Sequence, residues 1–403
     1  MTIRILAVTA ACLAALSAFL AGEMFFLEKK RRRIPLRIGV TGTRGKSSVA
    51  RLTAAALRAS GRSVLAKTTG SSPILIHPDG SEHEIRRQGP PRVLEGKTLL
   101  KTACRLGADT VVSELMSINP ECLAVESCRL LKPSLLAVTN VRIDHRDVMG
   151  RSREDIARGL AESVLPGSTI FMLEENVHPA VAEKAGKVGA VLVPVPRRNG
   201  RLRSVSRSGS RRPWDFDENT RLALALASAC GVDEKTALAA FSSVRPDPGA
   251  FRLWRIRAGE SRRLWRCAAA FAANEPESTS VLLDRLRKDG LLKKAPRVAL
   301  LNLRDDRPDR TLQWAAAAGR GYFREFDLLS VAGASRAAAR LWKREAVRSG
   351  LSLFLIHTND PAAVMNTVVE RYRTGGFLFG AGNIGGLGRA LIGHWERHGE
   401  CCG

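Results

Sequence analysis

Leu36-Arg37-Ile38-Gly39-Val40-Thr41-Gly42-Thr43-Arg44-Gly45-Lys46-Ser47-Ser48 decides the reading of this 403-residue chain. Leu36–Val40 is an apolar run of strand length. A glycine-punctuated turn follows, and then a stretch rich in Ala, Leu and Arg runs with helical character from Ser47 to Ser60, where Gly61 stops it. Strand, glycine loop and helix in that order make a phosphate cradle. Successive backbone N–H groups point at the anion, and the helix N-terminus adds its positive dipole end. In that frame Gly42, Thr43, Arg44, Gly45, Lys46, Ser47 and Ser48 hold the phosphates of ATP. Lys46 reaches the β- and γ-phosphates, and the Ser47 hydroxyl is a ligand of Mg2+. Only two residues separate Gly42 from Gly45, where the usual loop has four, so the reading rests on the strand–loop–helix context.

Outward from the loop, Ser63–Lys67 reads as a strand, 97–106 as a helix, and Thr110–Ser113 and Leu135–Thr139 as further strands. This alternation predicts an α/β fold with a mostly parallel sheet and helices on both faces. Glu114 closes one strand close to the loop. There a carboxylate can hold Mg2+ directly or through water, although a solvated strand end reads the same way. The run Thr139–Gly150 packs Asn140, Asp144, His145 and Asp147 together, a density typical of a metal or catalytic loop. Helices 219–229 and 233–243 precede Pro246-Asp247-Pro248-Gly249, which can continue neither a helix nor a central strand and reads as a linker. Beyond it the strands 298–303, 326–331, 351–357 and 377–379 and the helices 361–373 and 387–398 outline a second, smaller α/β domain. The expected division is a transmembrane anchor and basic segment at 1–33, an ATP-binding domain at 34–246 and a C-terminal domain at 247–403. Gly380-x-Gly382-x-x-Gly385 matches a dinucleotide fingerprint, but only 18 residues follow it, so a tight structural turn is the expectation.

Ile5 to Gly22 carries no charge, and about 20 apolar residues span a bilayer core. Lys29-Lys30-Arg31-Arg32-Arg33 follows, so the positive-inside rule keeps the rest of the chain cytoplasmic. A cleaved signal peptide has the opposite charge order. The net charge is +25. A second concentration of it lies in 197–212, with the arginines Arg197, Arg198, Arg201, Arg203, Arg207, Arg211 and Arg212 and no acid, which reads as a basic loop for an anionic partner. Aromatics are only 5% and no nucleic-acid module is visible, which argues against a nucleic-acid-associated NTPase.

Three segments together resemble the Mur ligase family of ATP-dependent amide ligases: Thr41–Ser48, Glu114 after its strand, and Thr139-Asn140…Asp144-His145…Asp147. The chain is similar within that family to the membrane-anchored poly-γ-glutamate synthases of capsule synthesis. That likeness rests on Arg44, Lys67-Thr68-Thr69-Gly70, Ser113–Met116, Asp144–Gly150, Pro246–Arg252, Phe271–Asn274, Asn302–Arg310 and Gly380–Gly386. The resemblance implies catalytic roles for Lys46, Glu114 and His145. It implies Mg2+ ligands at Ser47, Thr69, Glu114 and His145, and further ATP contacts at Asn219 and Arg252. The substrates it implies are glutamate and poly-γ-glutamate, with small membrane subunits as partners and no nucleic acid. Arg304, Arg307 and Arg310 read either as forks for glutamate carboxylates or as a surface ion-pair network. A folylpolyglutamate-type ligase is the alternative within the family. Three features depart from the family pattern. The residues 1–33 ahead of the phosphate-loop strand are expected to leave no room for the family's N-terminal domain for a UDP-linked substrate, no lysine lies between Asp144 and Glu183 to be carbamylated, and Phe271 falls where the family has an Asp for the nucleotide ribose.

Overall fold

The computed structural model describes residues 2–70, 72–143, 148–197, 217–247, 249–259, 262–293, 296–372 and 374–402. The chain divides into two compact units, Met1–Asp247 and Pro248–Gly403.

Unit 1 opens with a helix, Thr2–Arg32, and then builds a sheet from β1 (Leu36–Thr41), β2 (Val64–Thr68), β3 (Ile74–Ile76), β4 (Glu82–Glu84), β5 (Thr110–Glu114), β6 (Leu135–Val138), β7 (Thr169–Leu173) and β8 (Val191–Val195). The strand order is β4-β3-β2-β5-β1-β6-β7-β8. The six strands from β2 to β8 in that order run parallel, and β3 and β4 add an antiparallel edge. Period-2 alternation sends neighbouring side chains to opposite faces. Ile38, Val40, Val112 and Ala137 join one core with the helices Lys46–Ala59, Asp217–Ala229 and Glu234–Ser243. Val111, Leu136 and Val138 join a second core with the helices Glu95–Arg105, Arg153–Ala161 and Pro179–Val188. The parallel sheet is thereby covered on both sides, which is how largely apolar strands of this kind are accommodated.

In this order the chain crosses from β1 toward β2 on one side, and from the adjacent β6 to β7 on the other. The crevice outside the carboxyl ends of such a pair is where open α/β sheets bind ligands. Val40 lies level with Glu114 on one side, and Thr41 with Val138 on the other.

Unit 2 forms a seven-stranded sheet in the order β13-β12-β11-β14-β10-β9-β15. Its strands are β9 (Arg252–Ala258), β10 (Arg263–Ala269), β11 (Arg297–Asn302), β12 (Leu328–Ala332), β13 (Leu353–Ile356), β14 (Gly376–Gly382) and β15 (Gly399–Cys401). Strands β10 to β14 run parallel, while β9 and β15 are antiparallel additions at one edge. Trp254, Trp265, Phe271 and Trp395 fill its core, with the Phe271 ring stacked on Trp395 at 5.9 Å.

Candidate nucleotide and metal site

The loop after β1 closes at Gly45, whose left-handed φ of 86° turns the chain directly into the helix that starts at Lys46. Gly42 has φ 121°, and a Cβ there would collide with the Thr139 hydroxyl and crowd the backbone N atoms of Thr139 and Asn140. Glycine is therefore required at both positions, by conformation and by close approach.

Asn140 braces the loop. Its Oδ1 accepts from the Thr43 hydroxyl at 2.7 Å and from the Arg44 N–H at 3.1 Å, and its Nδ2 donates to the Arg44 carbonyl at 3.1 Å. The Arg142 N–H donates to Thr43 Oγ1 at 3.0 Å, and the Thr43 N–H to the Asn140 carbonyl at 3.1 Å. The sequence reading placed Asn140 in a dense motif without giving it this role. Its bonding partners lie 96 and 97 residues away, and no spacing rule reports that.

Lys46 folds over the loop and donates to the Gly42 carbonyl at 2.8 Å. Ser47 donates its hydroxyl to Glu114 Oε2 at 2.7 Å, and the same oxygen accepts from the Thr69 backbone N–H at 2.7 Å. The contact from Thr69 to Glu114 is thus made by its main chain. Glu114 is buried, as is the whole of β5. Gly70 follows, and a Cβ on it would lie 2.5 Å from Ser47 Oγ and 2.8 Å from Asp247 Oδ2. The buried Asp247 carboxylate, which the sequence reading treated only as linker, therefore stands beside the Ser47–Glu114 pair. Ser48 continues the first turn of the helix.

Asn219 lies in the first turn of the helix Asp217–Ala229, and a Cβ on Gly45 would fall on its amide oxygen. The structure thus brings Gly42–Ser48, Thr69, Glu114 and Asn219 together in unit 1. His145, with Asp144 and Asp147, lies outside the described residues, as do the arginines of 197–212 except Arg197. Among the described residues no group of three or more His, Cys, Asp or Glu converges. The donor set present is a hydroxyl and carboxylate oxygens, which suits Mg2+, a hard cation bound through one or two carboxylates and substrate phosphates.

Beneath the site, Glu126 accepts from the Met116 and Ser117 N–H groups at 3.2 and 3.0 Å, fixing the chain that leaves β5. The buried Lys67 pairs with Glu95 at 3.1 Å, and Arg87 grips the same carboxylate at 2.7 and 3.1 Å. Burial alone would raise the Glu95 pKa. The Arg87 hydrogen bonds and the Lys67 charge outweigh it and hold the carboxyl below its usual range.

In unit 2, Arg252 pairs with Glu396 at 2.5 Å and lies over the Trp254 ring at 5.0 Å. Phe271 is fully buried, and a Cβ on Gly380 would run into its ring, so this side chain is core rather than a ribose contact. Arg304 forks onto Asp306 and Arg307 onto Asp309, while the buried Arg310 pairs with Glu275 at 3.1 Å. The three arginines also line one pocket together with Asn274, Asn302 and Asn383.

A phosphate loop at the reversal point of a parallel sheet, followed by a separate α/β unit, defines a class. The family model for the Mur ligase middle domain matches residues 40–191, and the one for the poly-gamma-glutamate synthase CapB C-terminal domain matches residues 255–398. Residues 40–191 thus match the Mur ligase middle domain, and the similarity of the chain as a whole runs to the CapB proteins. It is 30% identical over 293 residues to the capsule biosynthesis protein CapB of Bacillus anthracis, covering 72% of this chain and 61% of that protein. It is 27% identical over 376 residues to the PGA synthase CapB of Bacillus subtilis (strain 168), covering 91% and 93%. The fold is shared with a bifunctional folylpolyglutamate synthase/dihydrofolate synthase of Yersinia pestis solved with AMPPNP and a Mn ion. That match has a TM-score of 0.64 at 18% identity over 92% of this chain and 91% of that one.

Proposed function

We propose that the chain is an ATP-dependent amide ligase that joins glutamates into poly-γ-glutamate at the cytoplasmic face of a membrane. The observation that carries this reading is the Ser47–Glu114–Thr69 cluster at the mouth of the Gly42–Ser48 loop, in a chain whose two relatives named above are CapB proteins of capsule and PGA synthesis. ATP lies with its phosphates on the N–H groups of the loop, and Lys46 leaves the Gly42 carbonyl for the γ-phosphate. Ser47 and Glu114 would hold Mg2+, with His145 as a ligand of a second ion, as the resemblance implies. Bound Mg2+ neutralises charge that builds when one anion attacks another. A glutamate γ-carboxylate attacks the γ-phosphorus and ADP leaves, giving an acyl phosphate. The amine of the next glutamate then attacks the acyl carbon, loses a proton and expels phosphate. As the resemblance implies, Asn219 contacts the adenine and Arg252 is a further ATP-binding residue.

The pocket lined by Arg304, Arg307 and Arg310 is proposed to take glutamate carboxylates, because a guanidinium fork matches a carboxylate in bidentate fashion. The helix Arg4–Arg32 is long and apolar enough to cross a membrane. It serves here as the anchor, with small membrane subunits as partners.

The test is the additive that drives ADP release from the detergent-solubilised full chain with ATP and Mg2+. Glutamate or poly-γ-glutamate should stimulate it and yield lengthened polymer by mass spectrometry. Stimulation by a folate instead would move the chain to the folylpolyglutamate type, and stimulation by DNA or RNA would remove it from the ligases.

A further inference from the structure

The N-terminal helix does not end where its apolar stretch ends. It runs unbroken to Arg32, and its last turns are packed into unit 1. Lys97 pairs with Glu23 at 2.8 Å, and the Cys104 thiol reaches the Lys30 carbonyl at 3.6 Å. Both contacts join residues 74 apart in sequence. A constant offset over seven residues means that the helix Glu95–Arg105 lies parallel to the N-terminal helix and in step with it. Leu27 and Ile34 share one core with Leu99, Leu100 and Ala103, which locks the pair together.

Glu23 is the acid that interrupts the apolar run, and Lys97 neutralises it at the end of the 18 uncharged residues Ile5–Gly22. Those residues rise about 27 Å at 1.5 Å each, close to the thickness of a bilayer core. The Glu23–Lys97 pair therefore marks the water–lipid boundary on the side of unit 1. The N–H groups of Glu95, Gly96 and Lys97 donate to the carbonyls of Arg92, Val93 and Leu94 three residues back, so a tight turn leads from Arg92 directly into this helix. Carried back to its N-cap, the offset sets Leu94 near the level of Leu20. Leu94 is 55% exposed, an apolar residue turned outward, and Arg86 and Arg92 are exposed in the same stretch of chain while Arg87 turns inward to Glu95. An apolar tip flanked by arginines suits the headgroup layer of an anionic leaflet, where the apolar side chain enters the acyl boundary and the guanidinium groups meet phosphates.

We propose that the turn Arg92–Leu94, with Arg86, rests in the headgroup layer of the bilayer crossed by the N-terminal helix. Unit 1 then meets the membrane at two points and is held in a fixed orientation. This rests on the anchor reading given above.

The test places an environment-sensitive fluorescent amino acid at position 94 of the full chain in nanodiscs. The discs hold phosphatidylglycerol with phosphatidylcholine, or phosphatidylcholine alone, with nitroxide-labelled lipid as quencher. Position 191, 59% exposed on the far-edge strand β8, is the control. Fluorescence should be lost at 94 and retained at 191, with the larger loss in anionic discs, and Arg86→Gln with Arg92→Gln should remove the difference between the lipids. A chain that enters the discs with 94 quenched no more than 191 overturns the proposal and leaves the anchor standing. A chain that does not enter the discs overturns both. Quenching at 94 that requires a second membrane protein in the disc assigns the turn to that protein instead of to lipid.

Discussion

Ser47 and Glu114, 67 residues apart in sequence, share a 2.7 Å hydrogen bond across the carboxyl ends of β1 and β5. The register that sets Val40 beside Glu114 creates this contact, because the helix bearing Ser47 begins only a tight loop beyond β1. Substituting Glu114→Gln keeps an oxygen for Ser47 and Thr69 but removes the charge. Turnover should fall roughly 100-fold or more with a rightward shift of the Mg2+ titration. An unchanged titration would take Glu114 out of the metal set.

Lys46→Ala should abolish glutamate-dependent ADP release. Among the residues of the Gly42–Ser48 loop, only Arg44 carries another positive charge, and its main chain is clamped by Asn140. Wild-type ADP release from this variant would rule out the phosphate loop as the ATP site.

Asn140→Ala should weaken ATP binding without unfolding unit 1. It leaves the Thr43 hydroxyl and both main-chain groups of Arg44 without the Asn140 partners they have now. Each such loss costs about 1–3 kcal/mol, so affinity should drop roughly tenfold or more. Asn140→Asp retains the acceptor and loses the donor, and should fall in between. Nucleotide titration followed by calorimetry measures both, and equal affinity in all three proteins would show that the brace does not matter to binding.

The Glu95 carboxyl is held below its usual pKa by Arg87 and Lys67. A carboxyl depressed in the folded state stabilises the fold above its unfolded pKa, and that contribution is lost as pH falls through the folded pKa. Relative to Glu95→Gln, the wild-type chain should therefore gain unfolding midpoint at neutral pH. The gain should shrink below about pH 4.5, the ordinary value for this group. A difference independent of pH between 7 and 3 would contradict the assignment.

The sequence made the phosphate loop legible, because strand, glycines and helix are contiguous and each element follows from local chemistry. Glu114 was legible as the end of an apolar run. Strands β11 to β14 of unit 2 were readable for the same reason, but β9 and β10, which pair with each other antiparallel, were not. Their arginines alternate with apolar residues, as in Trp254-Arg255-Ile256-Arg257, and this basic alternation does not read as an apolar strand run although Trp254 and Ile256 are buried. Asn140 and Asp247 could not be assigned from local pattern at all. Their relation to the loop arises only when β6 and the end of unit 1 are folded against it, so it belongs to tertiary structure.

The parallel clamp between the N-terminal helix and Glu95–Arg105 has a mechanical consequence. In the proposed anchored state there is no joint between span and body, so unit 1 would inherit the tilt of the span, and diffusion in the plane of the membrane would leave it a single rotational freedom, about the bilayer normal. Every group in unit 1 then keeps a constant height above the lipid. A neighbouring membrane protein meets the same latitude of its surface at every encounter, so the search for a partner is a matter of azimuth alone.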